Sequence, residues 1–513
     1  MKAISVETMK QLDARTIEAG TPGETLMERA GQGVFCELEK LRASYWSGCG
    51  LNRFSVLAGK GNNGGDAYVV ARILAENGYA VKIFAVCAPE ELKGAAAYHA
   101  EKARAKVPVE VCDTLPSEVF AQGTIVVDGL LGTGIKGTLK APYDHIIGAV
   151  NASQRPVVAI DVPSGLDADT GEIATDAVKA DLTVTMAQPK YGMVTRQGLA
   201  VCGRLRRVDI GVAPEEVDQA PGECEAVLID DLYRFNERRP LLSHKKTFGQ
   251  VYLIAGSREY TGAGMLAAGA ALRSGAGLVR SAVPESIRHL ISPPFDALIF
   301  DPVRDNASGC FTEEALDVLV QQAEQSDAVV IGPGIGTAPE TCRCVRELLQ
   351  TSAPVVLDAD GLTMLANHRE WAEREAPLIV TPHPGEMKRL LAGFGLDECD
   401  TAERREQACL LAEKADVWVV LKGFGTMLAS PSGHWAVNVT GNDALASAGT
   451  GDILAGLLGG FLAQGLTPWE ALTHAACLHG VVGETTEKGA RAVTADDILQ
   501  GIPATLKGIS PFP

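Results

Sequence analysis

Asp452 is a lone carboxylate that closes a neutral, glycine-rich run, Ser447-Ala448-Gly449-Thr450-Gly451, and a small-residue apolar helix pattern follows at once. Glycines let backbone N–H groups turn inward, and a helix start adds unpaired N–H groups and the positive end of its dipole. That combination holds an anion, most often a phosphate. A carboxylate beside such a nest is repelled unless it meets a metal or moves a proton. A base that takes a proton from a hydroxyl, while the nest steadies a transferring phosphoryl group, accounts for both features. The plainer reading is a turn whose aspartate caps a helix.

Comparable loops recur elsewhere. Gly59–Asp66 (GKGNNGGD) follows the apolar run Phe54–Ala58 and precedes a helical pattern. Ligands of open α/β sheets bind beyond the carboxyl ends of the strands, so these amides and glycines suit phosphate or sugar, against a simple Asn-Gly turn. Gly132, Gly134 and Gly137 spell G-x-G-x-x-G after Thr124–Asp128, with Asp161 at a later strand end. A dinucleotide fingerprint with its ribose carboxylate has this form, but normally follows the first strand of a domain. Asp128, Asp161 and Ser164 share that rim, and with the Asn amides they offer oxygen ligands to a hard cation. In the second half, IGPGIGT (331–337), TPHPGE with His383 and Glu386, and KGFGT from Lys422 to Thr426 also end strands. No G-x-x-x-x-G-K-[ST] occurs, so the chain is not a P-loop enzyme.

These loops need a scaffold of parallel strands. Residues 1 to about 50 read as helix, from Met9, Leu12, Ile17, Leu26, Met27, Val34 and Leu38. Strands are expected at Phe54–Ala58, Val81–Val86, Thr124–Asp128, Val157–Asp161 and Leu182–Met186. After an acidic, aperiodic stretch at Gly211–Glu225 they resume at Gln250–Ala255, Leu278–Ala282, Ala328–Ile331, Val355–Asp358, Leu378–Thr381 and Trp418–Lys422. That rhythm predicts an α/β chain of two domains, 1–215 and 226–513, each with a parallel sheet. A length of 513 residues fits two or three domains. The net charge of −18 argues against nucleic-acid or anionic-membrane surfaces. Twelve scattered cysteines without a C-x-x-C pair suit reduced thiols. No apolar leader or run of about 18 apolar residues appears, so the expectation is a soluble, cytoplasmic protein.

Taken in order, TMKQLDARTIEAGTPGETLMERAG, GKGNNGGD, VVDGLLGTGIKG, DVPSGLDADTG, GPGIG, LDADGLTML, TPHPGEMKRL, LKGFGT and GNDALASAGTGDILAGLLGGFLAQGL resemble the bifunctional NAD(P)H-hydrate repair enzymes. The resemblance covers about residues 5 to 505. It implies a Rossmann-like epimerase domain fused to a ribokinase-like, ADP-dependent dehydratase domain. Carried over by motif, Asn62, Asn63, Gly64, Gly65, Asp66, Gly132, Thr133, Gly134, Ile135, Lys136, Gly137 and Thr138 would hold the hydrated dinucleotide. Asp161 would be the epimerase acid/base, and Asn63, Asp128 and Ser164 would bind a potassium ion. Ala263, Gly334, Gly336, His383 and Asp452 would hold the hydrate in the dehydratase, with Asp452 catalytic. Lys422, Gly423, Phe424, Gly425, Thr426, Asn442, Asp443, Ala444, Leu445, Ala446, Ser447, Ala448, Gly449, Thr450 and Gly451 would hold ADP.

The resemblance also implies the substrates NADHX, NADPHX and ADP, with magnesium on the nucleotide, and a homo-oligomer of four or more chains. Three alternatives stay open at this point. A ribokinase-like sugar or vitamin kinase with an accessory nucleotide-binding domain would use the same Gly449-Thr450-Gly451-Asp452 constellation. A redox enzyme would use the GTGIKG fingerprint, and a non-enzymatic first domain would serve as a ligand sensor.

Overall fold

The computed structural model describes residues 1–232, 235, 238–293, 295–399, 403–486 and 490–510. The chain separates into two units, Met1–Leu228 and Ile229–Pro513.

In the first unit, β-branched runs become strands buried on both faces, as parallel sheets require: Val126, Val127, Val158, Ala159 and Ile160 are fully buried. The strands are β1 (Lys2–Ala3), β2 (Arg53–Ala58), β3 (Ala80–Ala85), β4 (Val109–Val111), β5 (Thr124–Gly129), β6 (Val157–Ile160), β7 (Leu182–Met186), β8 (Arg204–Val208) and β9 (Cys224–Val227). Seven form a parallel sheet in the order β4-β3-β2-β5-β6-β7-β8. This is the Rossmann order, and the direction of winding reverses between β2 and β5. The loops after those two strands, GKGNNGGD and GLLGTGIKG, therefore flank the crevice.

Two expectations need correction here. The helical pattern of the first fifty residues is broken into Val6–Glu18 and Gly23–Ser44, because Gly20 turns left-handed (φ 104°) and Pro22 cannot continue a helix. The stretch 211–225 is not unstructured. Pro214 at the first helical position and Glu215 and Glu216 in the first turn start a short helix, Pro214–Gln219, and β9 pairs antiparallel with β1.

The second unit contains β10 (Gln250–Ile254), β11 (Leu278–Pro284), β12 (Ile299–Val303), β13 (Ala328–Ile331), β14 (Val355–Leu357), β15 (Leu378–Val380), β16 (Trp418–Leu421), β17 (Thr426–Ala429) and β18 (Trp435–Asn438). Their order is β18-β17-β16-β15-β14-β13-β10-β11-β12, parallel from β10 to β16 and antiparallel at β17 and β18. The switch point lies between β10 and β13. The small-residue helix Thr450–Ala463 packs so closely on helix Thr261–Arg273 that a Cβ on Gly456 would come 2.1 Å from the Ala267 carbonyl oxygen. Glycine there sets the approach of the helix that carries Asp452.

Candidate active sites

A cavity of about 600 Å³ opens at the switch point of the first unit. Asn62, Asn63 and Asp66 reach it from the start of helix Asn62–Glu76, Gly132 to Gly134 from the loop after β5, and Asp161 from the end of β6. Ile135, Lys136, Gly137 and Thr138 are not among its lining residues, and Lys136 points to solvent, 3.7 Å from Asp169. The GTGIKG run is not a dinucleotide fingerprint in form. It follows the fifth strand, and the next helix opens only at Tyr143, so no helix N-terminus faces a pyrophosphate at Gly137.

Asp161 sits in the left-handed region (φ 62°), a conformation that costs on the order of 1 kcal/mol and is held by its surroundings. Its N–H donates to Val184 O at 2.8 Å. Its Oδ1 accepts hydrogen bonds from Thr185 Oγ1 and the Met186 N–H, each at 3.1 Å, and from the Lys190 ammonium. Lys190 is fully buried and also donates to Thr185 Oγ1 (3.0 Å) and Met186 O (3.2 Å). Sequence reasoning missed Lys190. The signal was its position just past a strand end, in AQPK after β7.

The three residues expected to bind a cation come together around Leu131. Asn63 Nδ2 donates to Leu131 O at 2.8 Å, and the Leu131 N–H donates to Ser164 Oγ at 2.9 Å. Asp128 accepts from Ser164 Oγ (2.6 Å), the Ser164 N–H (2.8 Å) and the Leu130 N–H (3.2 Å). Burial pushes the Asp128 carboxyl above its ordinary value, and those hydrogen bonds oppose the rise. Asn63 Oδ1 is buried without a hydrogen-bond partner. An unpartnered amide oxygen beside a buried carboxylate and a hydroxyl fits a hard monovalent cation. Among the described residues no group of three His, Cys, Asp or Glu side chains could hold a transition metal.

In the second unit, Asp452 lies in the first turn of helix Thr450–Ala463, after Gly449 at φ 90°, a left-handed value that suits glycine. The helix has no side-chain cap. Thr450 Oγ1 bonds back to the carbonyls of Leu445 and Ser447, and Ser447 Oγ bonds to Val493 O. The hydroxyls are thus committed to holding the loop, and the backbone N–H groups of Gly451 and Asp452 have no protein acceptor among the described residues. Asn442 caps the short turn Asp443–Leu445 through Ala444 N–H (3.2 Å).

Lys422 reaches this nest from the end of β16, its Nζ 3.3 Å from where a Cβ on Gly451 would lie. The same ammonium pairs with Asp358 Oδ1 at 2.8 Å and lies 3.9 Å from Glu386 Oε2. Burial pushes Lys422 down, but the Asp358 and Glu386 carboxylates outweigh it and hold the amine above its ordinary value. Burial, helped by Asp358 and opposed by Lys422, pushes Asp452 up to about 7. Asp358 follows β14 and accepts from Thr381 Oγ1 at 2.6 Å. The LDADG motif contains Asp358, but its tie to Lys422 is not readable from the motif.

His383 caps helix Pro384–Gly393, its Nδ1 accepting from the Gly385 N–H (2.9 Å) and Glu386 N–H (3.3 Å), and its ring is half exposed. Across the switch point, a Cβ on Gly334 would lie 3.1 Å from the Ala263 Cβ, so those two positions adjoin, and the Gly336 N–H donates to Asp360 Oδ2 at 2.9 Å. The KGFGT loop is held by Arg404, whose guanidinium donates to four carbonyls, those of Leu421, Lys422, Phe424 and Gly425, at 2.6–3.1 Å. Arg404 was not foreseen.

Fold and sites define an α/β enzyme of two units, one centred on an acid–base cavity and the other on an anion nest with a poised carboxylate. A family described as NAD(P)H-hydrate dehydratase matches residues 251–504, and the YjeF-related protein N-terminus matches residues 23–192. The bifunctional NAD(P)H-hydrate repair enzyme of Moorella thermoacetica is 35% identical over 99% of this chain and 97% of its own. That of Salinibacter ruber is 37% identical over 98% and 95%. The crystal structure of the ADP/ATP-dependent NAD(P)H-hydrate dehydratase from Bacillus subtilis, co-crystallised with ATP/Mg2+, is 31% identical over 56% of this chain and 99% of its own, with a TM-score of 0.47. The chain belongs to the family of bifunctional NAD(P)H-hydrate repair enzymes.

Proposed function

We propose that residues 1–215 interconvert the R and S epimers of NADHX and NADPHX, and that residues 226–513 dehydrate the S epimer with ADP, giving NAD(P)H, AMP and phosphate. The observation that carries the reading is the Asp452 carboxyl, pushed up to about 7 at an uncapped helix start beside Lys422. A general base works best with a value near the operating pH. Asp452 takes the proton of the C6 hydroxyl as its oxygen bonds to the β-phosphorus of ADP and the bond to AMP breaks. The backbone N–H groups of the nest and Lys422 stabilise the charge that develops on the transferring phosphoryl group. Phosphate then leaves C6 as a proton leaves C5, and the ring double bond returns.

Ala263, Gly334, Gly336 and His383 would hold the hydrate, and the 422–426 and 442–451 loops would hold ADP. Magnesium, bound with ADP, supplies charge neutralisation at the phosphates. In the first unit Asp161 moves the proton that bond breaking at C6 requires, with the hydrate held by Asn62, Asn63, Asp66 and Gly132 to Gly134, which line the cavity. Asn63, Asp128 and Ser164 would hold potassium, which fixes the rim beside Asp161. The twelve cysteines are free thiols, which fits the cytoplasm, and a homo-oligomer accords with the family resemblance.

The test is to incubate the chain with hydrated NADH, ADP and magnesium and follow the return of NADH absorbance. Full recovery from a mixture of epimers, with AMP and phosphate in equal amounts, is expected. ATP-dependent phosphorylation of a sugar or vitamin, with no recovery of NADH, would replace this reading with the kinase.

A further inference from the structure

We propose that Asp13 is a second catalytic residue of the first unit, the proton donor that works with Asp161 as base. The inference deepens the epimerase reading and rests on it. Asp13 lies on helix Val6–Glu18, far in sequence from every glycine loop, yet it lines the same cavity as Asp161, Lys190 and Asp66. Its Oδ1 is buried and has no hydrogen-bond partner. A buried, unpartnered carboxyl oxygen costs stability unless something outside the fold completes it. Asp161, by contrast, has its Oδ1 saturated by Thr185, Met186 and the Lys190 ammonium. One carboxyl is therefore paired with a cation, and the other, at the cavity wall, has a buried oxygen that no protein group partners. Two carboxyls of one cavity, one held by donors and a cation and the other unpartnered, can take the separate roles of base and acid.

The charged groups that face Asp13 are Lys190 from beyond β7, Asp161 from the end of β6 and Asp66 from helix Asn62–Glu76, while Lys10 and Lys60 also line the cavity. Burial and Asp161 push Asp13 up, against Lys190, to about 6. Asp66 is pushed well above the ordinary range by burial and by its acidic neighbours. A carboxyl raised to about 6 can both give and take a proton close to neutral pH.

The step balances without a co-reactant. Asp161 accepts the proton of the C6 hydroxyl, C6–O becomes a carbonyl, and the C6–N1 bond breaks. The electron pair goes to N1, which receives the proton of Asp13. After rotation about the C5–C6 bond, N1 adds to the other face of the carbonyl. Asp13 recovers its proton from N1 and the oxygen recovers its own from Asp161. Both residues end as they began.

The full chain is tested as wild type, Asp13→Asn, Asp13→Glu, Asp66→Asn and Asp161→Asn. The readout is conversion of purified R-NADHX through the coupled recovery of NADH, with the rate on S-NADHX as control. Loss of at least about 100-fold in epimerase kcat for Asp13→Asn is expected, with the S rate unchanged. The wild-type epimerase rate should fall as pH rises past about 6, with that limb moved in Asp13→Glu. Asp13→Asn within about threefold of wild type, or a falling limb that survives in Asp13→Asn and disappears in Asp66→Asn, overturns the assignment. A wild type that consumes only S-NADHX, or an undiminished Asp161→Asn, instead overturns the epimerase reading beneath it.

Discussion

The Lys422 ammonium is shared between Asp358, 2.8 Å away, and the first turn of the helix that carries Asp452. One cation beside a nest of N–H groups makes the site attractive to a polyanion, while the buried Asp358 keeps the lysine from pairing with the base. Asp358→Asn should leave Lys422 with one fewer carboxylate partner and free it to pair with Asp452. The expected outcome is a dehydratase pH profile whose acid limb moves to lower pH, with kcat reduced and the epimerase rate unaltered. An unmoved limb removes Asp358 from the electrostatics of the base.

Replacing the base itself is a harder blow. Asp452→Asn should retain ADP binding, measured by calorimetry, and lose on the order of 10²–10⁴ in dehydration rate. Near wild-type turnover in a folded variant would exclude the base role.

The pH dependence of the wild-type dehydratase has a definite sign. Asp452 acts ionised, and burial pushes its carboxyl up to about 7. In kcat/KM the rate should therefore rise about tenfold per pH unit well below 7 and level off above it. The same shift bears on stability. A carboxyl raised in the folded state favours folding at low pH, and its contribution is lost as pH rises from about 4 to about 7. Activity should climb over the window in which this group's contribution to stability declines, a contrast measurable by rate assays and thermal melts on one pH series.

Much of both sites was legible because parallel sheets place ligands at the carboxyl ends of strands. Each glycine loop, with Asp128, Asp161 and Asp452 beside it, could be found by locating the strand before it or the helix after it. Lys190 and Asp358 were not legible. Lys190 lies 29 residues from Asp161 and Asp358 lies 64 residues from Lys422, so the first pairing exists only once β6 and β7 are in register and the second only once β14, β15 and β16 are. Arg404 is hidden for a related reason: its partners are backbone carbonyls, which leave no mark in side-chain patterns. The strands β1, β8, β9, β17 and β18 were not expected from the sequence, and neither were β4 and β12. Of the last two, β4 is three residues long and β12 is an exposed edge strand interrupted by Pro302.

Arg404 yields a prediction of its own. Its hydrogen bonds to four carbonyls fix the 421–425 loop, on which both Lys422 and the exposed Phe424 ring depend for position. Arg404→Ala should raise KM for ADP about tenfold or more, with a smaller change in kcat, because each charged hydrogen bond contributes about 1.5 kcal/mol or more. An unchanged KM would show that the loop holds its shape without the arginine.

The cation of the first unit is the remaining test. Asp128, Ser164 and Asn63 meet around Leu131, and the amide oxygen of Asn63 is buried without a partner. Potassium at that oxygen would complete a coordination set drawn from three strand-end loops, and it would hold the rim against which Asp161 works. Epimerase activity should be higher in potassium than in a large organic cation of equal ionic strength. Asp128→Ala should lower the rate and abolish the difference between the two salts. Dehydration of the S epimer should not change in the variant, since its residues lie in the other unit. An Asp128→Ala enzyme with full epimerase activity and no response to potassium in either form would remove the cation from the site, and the unpartnered oxygen of Asn63 would then belong to the bound dinucleotide.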